Sequence, residues 1–167
     1  MGLYKLLAQK KPAILKEWLA QIFASYPPDA SGFLAGEKNS FANPVGCTIA
    51  TNAERILAGL TEGRDTSAMS VYMEPIIRIR AVQDFTPSQA VSFMAGLKTV
   101  VANQIRTKIP EGTPGGEWEE LMTGIDHLHT QACETYAQMK EEIRVIRSNE
   151  VTKREGFFNR LTGSKSK

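Results

Sequence analysis

Apolar side chains recur along this chain at intervals of three and four, and no alternating Val, Ile or Thr segment bounded by hairpin turns interrupts them. That period is the helical one, so the pattern predicts an all-α domain, a bundle of about five to six helices with a long C-terminal helix. Pro12 suits a first helical turn. Leu15, Trp18, Leu19, Ile22 and Tyr26 then mark a stripe that stops at Tyr26-Pro27-Pro28, and a shorter helix over Leu3 to Ala8 is expected ahead of it. From Pro27 to Asn43 the residues are those of a packed connector, in which Phe33, Leu34 and Phe41 are expected to pin one helical turn to the core. Asn43-Pro44 reads as a cap and a first helical residue, opening a helix through Val45, Ile49, Ala53, Ile56, Leu57 and Leu60 that Gly63 closes. Thr66 to Asp84 is the next helix. Pro75 inside it predicts a kink or a restart, because proline cannot donate to the carbonyl of Val71.

Thr86-Pro87-Ser88-Gln89 has the residues of a capping box, and the helix it opens presents Ala90, Phe93, Met94, Leu97, Val101 and Ile105 in a stripe broad enough for the centre of a bundle. This helix ends before Pro110, and Glu111 to Gly116 is the plainest loop in the chain. Beyond it Trp118, Leu121, Ile125, Leu128, Ala132, Tyr136, Met139, Ile143 and Ile146 form one seam. A continuous helix from Glu117 to Leu161 would measure on the order of 65 Å, more than a domain of this size spans. Its end must therefore break, dangle or pack on another chain. The reading divides the chain into residues 1–139, a sensor-like bundle that includes the start of the long last helix, and residues 140–167, a basic amphipathic extension with a frayed tail.

The run from Arg78 to Ala90 places polar groups inside an apolar pattern. Met69, Tyr72, Met73, Ile76 and Ile79 make one stripe, Arg80 and Gln83 fall within its width, and Arg78 points away. An inward arginine and glutamine need partners. One candidate is internal: Asp84, a glutamate or backbone carbonyls. The other is an anionic ligand, since a guanidinium offers a planar set of donors to a carboxylate or phosphate. The cost of an unpaired buried charge favours the internal partner.

Composition narrows the function classes. With 167 residues, 42% apolar and 23% charged, the chain suits one globular domain, and a net charge of +2 gives no argument for nucleic acid. The charge is unevenly spread. From Lys140 to Lys167 eight basic residues stand against four acidic ones, so this end carries +4 and the remainder −2. Here Phe157, Phe158 and Leu161 gather on one side with Lys153, Arg154 and Arg160 beside them. Together with Ile143 and Ile146 they are the candidate partner-binding surface; an anionic membrane is the less favoured occupant, and the plain alternative, slightly favoured over both, is a solvated helix end packed on its own bundle. Met1 to Lys11 has no long apolar core of a leader, and Leu6 stands where acylation of Gly2 would call for Ser or Thr, so a cytoplasmic protein is expected.

Catalytic signatures are absent: there is no serine elbow or Gly-rich phosphate loop, and Thr113-Pro114-Gly115-Gly116 lacks the lysine of a P-loop. His127 and His129 diverge by roughly 160° on a helix and cannot share a metal. His127 is expected in solvent and His129 beside the seam. Cys47 and Cys133 read as reduced core or boundary residues, and Trp18, Trp118 and Tyr136 sit at core spacing. No enzyme activity, metal or cofactor is expected.

Asn43-Pro44-Val45-Gly46, the run Arg78 to Ala90, Asn149-Glu150-Val151, Trp18 and Tyr26-Pro27 carry a resemblance over nearly the whole chain. The sequence resembles the N-terminal sensory domain of the RsbRD-type RsbT co-antagonists, which are related to the bacterial stressosome. The resemblance implies a helical, non-enzymatic sensing or interaction domain. In those co-antagonists a phosphorylatable STAS domain follows; this sequence stops at Lys167, so a free-standing domain that signals by contact with another protein is expected. The leading expectation is a regulatory module whose long last helix dimerises or engages a partner. The alternatives are a small-ligand receptor with a polar pocket around Arg80 and Gln83, and a peripheral membrane adaptor that uses the basic end.

Overall fold

The computed structural model describes residues 2–163. Among them are six α-helices, two 3-10 turns and no strand: α1 (Leu3–Ala24), α2 (Pro28–Gly36), α3 (Pro44–Thr61), a turn at Thr66–Met69, α4 (Ser70–Val82), α5 (Pro87–Ile105), a turn at Arg106–Lys108, and α6 (Gly115–Thr162). Five of the helices close a ring around one core. α1 lies against α3 and α5, α3 against α4, and both α4 and α5 against α6, while α2 rests on α1 and α3. Trp18, Ile49, Ile76, Met94, Leu97 and Leu128 are fully buried inside that ring.

The start of the chain differs from the sequence expectation, because Leu3 to Ala24 is one helix and Pro12 lies within it. Ala8 and Pro12 are both exposed, so the carbonyl that proline leaves without a donor lies on the solvent side, while buried Leu3, Leu6, Leu7, Ile14 and Trp18 hold the helix to the core on both sides of it. α2 is a helix of nine residues instead of a single turn. Phe33 is 49% exposed and Phe41 97% exposed, so neither pins it. Leu34 packs on the core as expected, and Asn43 fastens the connector. This asparagine is buried, its Nδ2 donates to the carbonyls of Leu34 (3.0 Å) and Glu37 (3.1 Å), and its Oδ1 accepts from Gly46 N (2.9 Å) at the start of α3. Gly46 is required there: a Cβ would run into the Leu34 carbonyl and the Asn43 amide.

α4 does not restart at Pro75. The change of helix type falls earlier, at the Thr66–Met69 turn, where Asp65 Oδ1 accepts from Ser67 N (3.0 Å). From Ser70 the helix continues through Pro75, with Met73, Ile76 and Ile77 buried on both sides of it. The capping box of α5 forms as expected, with Gln89 N donating to Thr86 Oγ1 (3.3 Å) and Thr86 N donating to Gln89 Oε1 (3.0 Å). α6 takes Gly115 and Gly116 from the expected loop into its first turn. At 48 residues it is roughly 72 Å long. Its buried residues are Leu121, Ile125, Leu128, Ala132, Tyr136 and Met139; Trp118 and Ile143 are half-buried, and Ile146 is exposed.

Candidate functional site

One end of the ring gathers the C-termini of α1 and α4, the N-terminus of α5 and the turns of α6 that precede its exit from the bundle. Arg80, near the end of α4, lies at the centre with no exposed surface. Its Nη1 donates to the Gln89 carbonyl (2.8 Å), and its Nη2 donates to Ser25 Oγ (2.9 Å) and the Ile22 carbonyl (3.4 Å). α4 packs along its length on α3 and α6, so these bonds cross the ring to α1 and α5. Ser25 Oγ in turn donates to the Ile22 carbonyl, which completes a short relay at the end of α1.

Among the described residues no carboxylate forms an ion pair with Arg80. Its charge is held by the carbonyl end of α1, where the helix dipole is negative, and by the rings of Phe85 (4.8 Å), Tyr26 (5.6 Å) and Phe93 (5.6 Å). Burial pushes the guanidinium below its ordinary pKa. The Tyr26 hydroxyl is pushed up by burial, and the positive charge of Arg80 opposes that rise.

Gln83 is exposed, which corrects its expected place on the inward face. α4 ends at Val82 and Gln83 is its C-cap, so the side chain leaves the helical stripe. Its Oε1 still accepts from the Tyr26 hydroxyl (3.0 Å), so Tyr26 touches both predicted polar residues. Asp84, expected as a partner for Arg80, faces α6 instead. It takes the left-handed conformation (φ 59°), Phe85 N donates back to the Arg80 carbonyl (3.3 Å), and the Asp84 carboxylate lies 3.6 Å from Lys140 Nζ. Lys140 also donates to the Ala81 carbonyl (3.1 Å), and the Tyr136 hydroxyl donates to the Phe85 carbonyl (2.6 Å). The α4–α5 joint is thereby fastened to the last packed turns of α6. A cavity of about 150 Å³ opens beside Arg80, lined also by Gln21, Ser25, Ser92, Phe93 and Gly96, and Arg80 Nε has no hydrogen-bond partner. Gln83 does not line it.

Past Lys140 the helix continues without the bundle. At about 100° per residue, the face that buries Ile125, Ala132, Tyr136 and Met139 runs on through Ile143, Ile146, Glu150, Arg154, Phe157, Phe158 and Leu161. Ile146, Phe157, Phe158 and Leu161 are exposed, the last three as far out as 57–63%. Phe157 and Phe158 meet edge to face at 6.3 Å. Arg160 bonds the carbonyl of Gly156 (3.2 Å), and Arg154 lies on the apolar face itself and not at its flank.

Further features were not foreseen from sequence. An apolar groove of about 660 Å³ runs between α5 and α6, lined by Pro87, Val91, Cys133, Tyr136, Ala137 and Lys140. Cys133 is exposed, contrary to expectation, and Cys47 is half-buried. His127 is exposed and His129 half-buried; among the described residues no group of His, Cys, Asp and Glu gathers to hold a metal. Sequence reasoning also missed Ser25 and Lys140 as parts of the polar end. The one available signal was Tyr136, since a core tyrosine has a hydroxyl to satisfy.

A closed ring of helices with a polar brace at one end and a projecting last helix defines an all-helical domain. Residues 12–151 match the RsbT co-antagonist protein rsbRD N-terminal domain, and the chain belongs to that family, one of regulatory signalling domains rather than enzymes. No curated relative and no solved structure matches the chain. The matched span takes in the whole polar end and the first turns of the projecting helix. No helix among the described residues is long and apolar enough to cross a membrane.

Proposed function

We propose that the chain is a cytoplasmic, non-enzymatic stress-signalling module that acts by protein–protein contact through the projecting part of α6. One observation carries this reading: the apolar face of α6 continues in phase beyond the bundle, where nothing of the described chain covers it. Exposed apolar surface of that kind marks an interaction site. Its root is tied by Tyr136 and Lys140 to the joint that follows Arg80, so a change in the packing of the bundle reaches the base of the projection directly. The test is affinity capture from the native cell with the intact chain and with Phe157→Ser plus Leu161→Ser. Loss of captured proteins with an unchanged melting temperature supports the reading, and identical captured proteins overturn it.

A second reading, a receptor for a small anion at Arg80, is favoured by the cavity beside a guanidinium whose Nε has no partner. Stabilisation by phosphate or acetate in the wild type, absent in Arg80→Met, would support it. No shift of the melting temperature with either anion would remove it.

A further inference from the structure

We propose that the groove between α5 and α6 binds a single free fatty acid of about twelve to fourteen carbons, with its carboxylate at Lys140 and its chain running toward His129. The site lies on the bundle and not on the projecting face. Two stripes form it. His129, Cys133, Tyr136 and Lys140 follow one another along one side of α6 at helical spacing, and Pro87 and Val91 face them from the start of α5. Val91 and Tyr136 are buried and make the floor, while Pro87, Cys133 and Ala137 are exposed along the rim. The Tyr136 hydroxyl is already bonded to the Phe85 carbonyl (2.6 Å), so the residue offers the groove its ring.

Volume, length and charge together select this ligand. The groove holds about 660 Å³, within the range of small-molecule sites. From His129 to Lys140 the α6 wall rises roughly 16 Å, and an extended acyl chain, advancing about 1.25 Å per carbon, spans that with about thirteen carbons. Positive charge stands at one end. Lys140 Nζ donates to the Ala81 carbonyl (3.1 Å) and lies 3.6 Å from the carboxylate of Asp84, whose side chain is 74% exposed, so this three-donor ammonium keeps an N–H for a second carboxylate. Pro87 and Ser88, at the same end, open α5, where the helix dipole is positive and the first backbone N–H groups have no partner within the helix. A peptide strand is a poorer occupant. Its backbone N–H and carbonyl groups would lie against Val91, Cys133, Tyr136 and Ala137, which leave them without hydrogen-bond partners.

Calorimetric titration of the full chain with laurate, well below its micellar concentration, tests this. One laurate is expected per chain, and affinity should rise roughly three- to fourfold per methylene from octanoate to laurate, then level off beyond about fourteen carbons. Lys140→Met should weaken decanoate at least roughly tenfold and leave decanol unchanged, and Ala137→Trp, which fills the groove from its exposed rim, should abolish binding of both. The site is located in Cys47→Ser, where bound laurate should slow the alkylation of exposed Cys133 by iodoacetamide. No binding of laurate, no dependence on chain length, equal weakening of decanoate and decanol by Lys140→Met, or an unprotected Cys133 would overturn the proposal. So would binding to phosphatidylserine vesicles without binding of free laurate, which would make a membrane lipid the ligand. Sedimentation in which Ala137→Trp separates two copies would also overturn it, because the groove would then be covered by the chain itself. Capture of partners through Phe157 and Leu161 is read independently of all these outcomes, so the proposed function can stand or fall without the fatty acid.

Discussion

The two halves of α6 carry the same apolar period and meet opposite fates. Between Leu121 and Met139 the stripe is closed over by α4 and α5, and every residue of it named above is buried; beyond half-buried Ile143, from Ile146 to Leu161, the same face stands in solvent. The difference does not lie in residue type alone, since isoleucine, leucine and an aromatic residue serve both halves. It lies in what stands opposite: the inner half has α4 and α5, and the outer half has no helix beside it. Hydrophobic periodicity therefore specifies a face and not its partner.

The largest effect should come from truncating equivalent residues in the two halves. Leu128→Ala is expected to cost about 2–5 kcal/mol in denaturant unfolding of dilute protein, and Ile146→Ala to stay within about 0.5 kcal/mol. Equal losses would erase the distinction between the halves. Next in size is Arg80→Met, which removes the guanidinium bonds that tie the Gln89 carbonyl and the end of α1 to α4 and should cost about 2–3 kcal/mol. A variant as stable as the wild type would show that Arg80 does not brace the ring.

Tyr136→Phe probes the boundary between the halves. Loss of its 2.6 Å bond to the Phe85 carbonyl should cost about 1 kcal/mol and speed amide exchange at the root of the projection, around Lys140. Unchanged exchange there would mean that the joint does not anchor α6. The smallest effect is a pH response at Tyr26. Its folded pKa is raised chiefly by burial, so the unfolded chain ionises first, and the stability it contributes is complete below pH ~10 and lost as pH rises through the folded value. Absorbance titration of the folded protein, with Tyr26→Phe as the reference, should place this tyrosine above its ordinary value. A Tyr26 that ionises at its ordinary value would contradict its burial.

Much of the fold was legible in the sequence because its signals are local. The capping box at Thr86 and Gln89, the Asn43 cap, Gly63 in the left-handed region (φ 65°) and the seam of α6 depend on residues within a turn or two of each other. Local rules failed where distant packing overrode them. Pro12 and Pro75 should interrupt helices, yet buried side chains on both sides of each hold the helix to the core. Phe33 and Phe41 should seek the interior, but Asn43 satisfies the carbonyls of the connector and leaves both rings outside.

The polar end shows the same division. The helical phase of Arg80 was enough to predict an inward guanidinium, and the ending of α4 at Val82 was enough to misplace Gln83, since one residue past a helix end no longer shares its face. That Arg80 is held by backbone carbonyls and aromatic rings and not by Asp84 is decided by the meeting of α1, α4 and α5, helices far apart in the chain.

By itself the sequence determined that this protein is helical, where most of its helices begin, and which stripe of each is apolar. Those properties follow from backbone geometry and side-chain period within a few residues. Only the tertiary structure decided that five helices close a ring, that a buried arginine crosses it without a carboxylate, and that the ring ends at Met139 while α6 does not. Burial depends on which surfaces the whole chain can bring together, and the bundle has no helix long enough to cover α6 to its end.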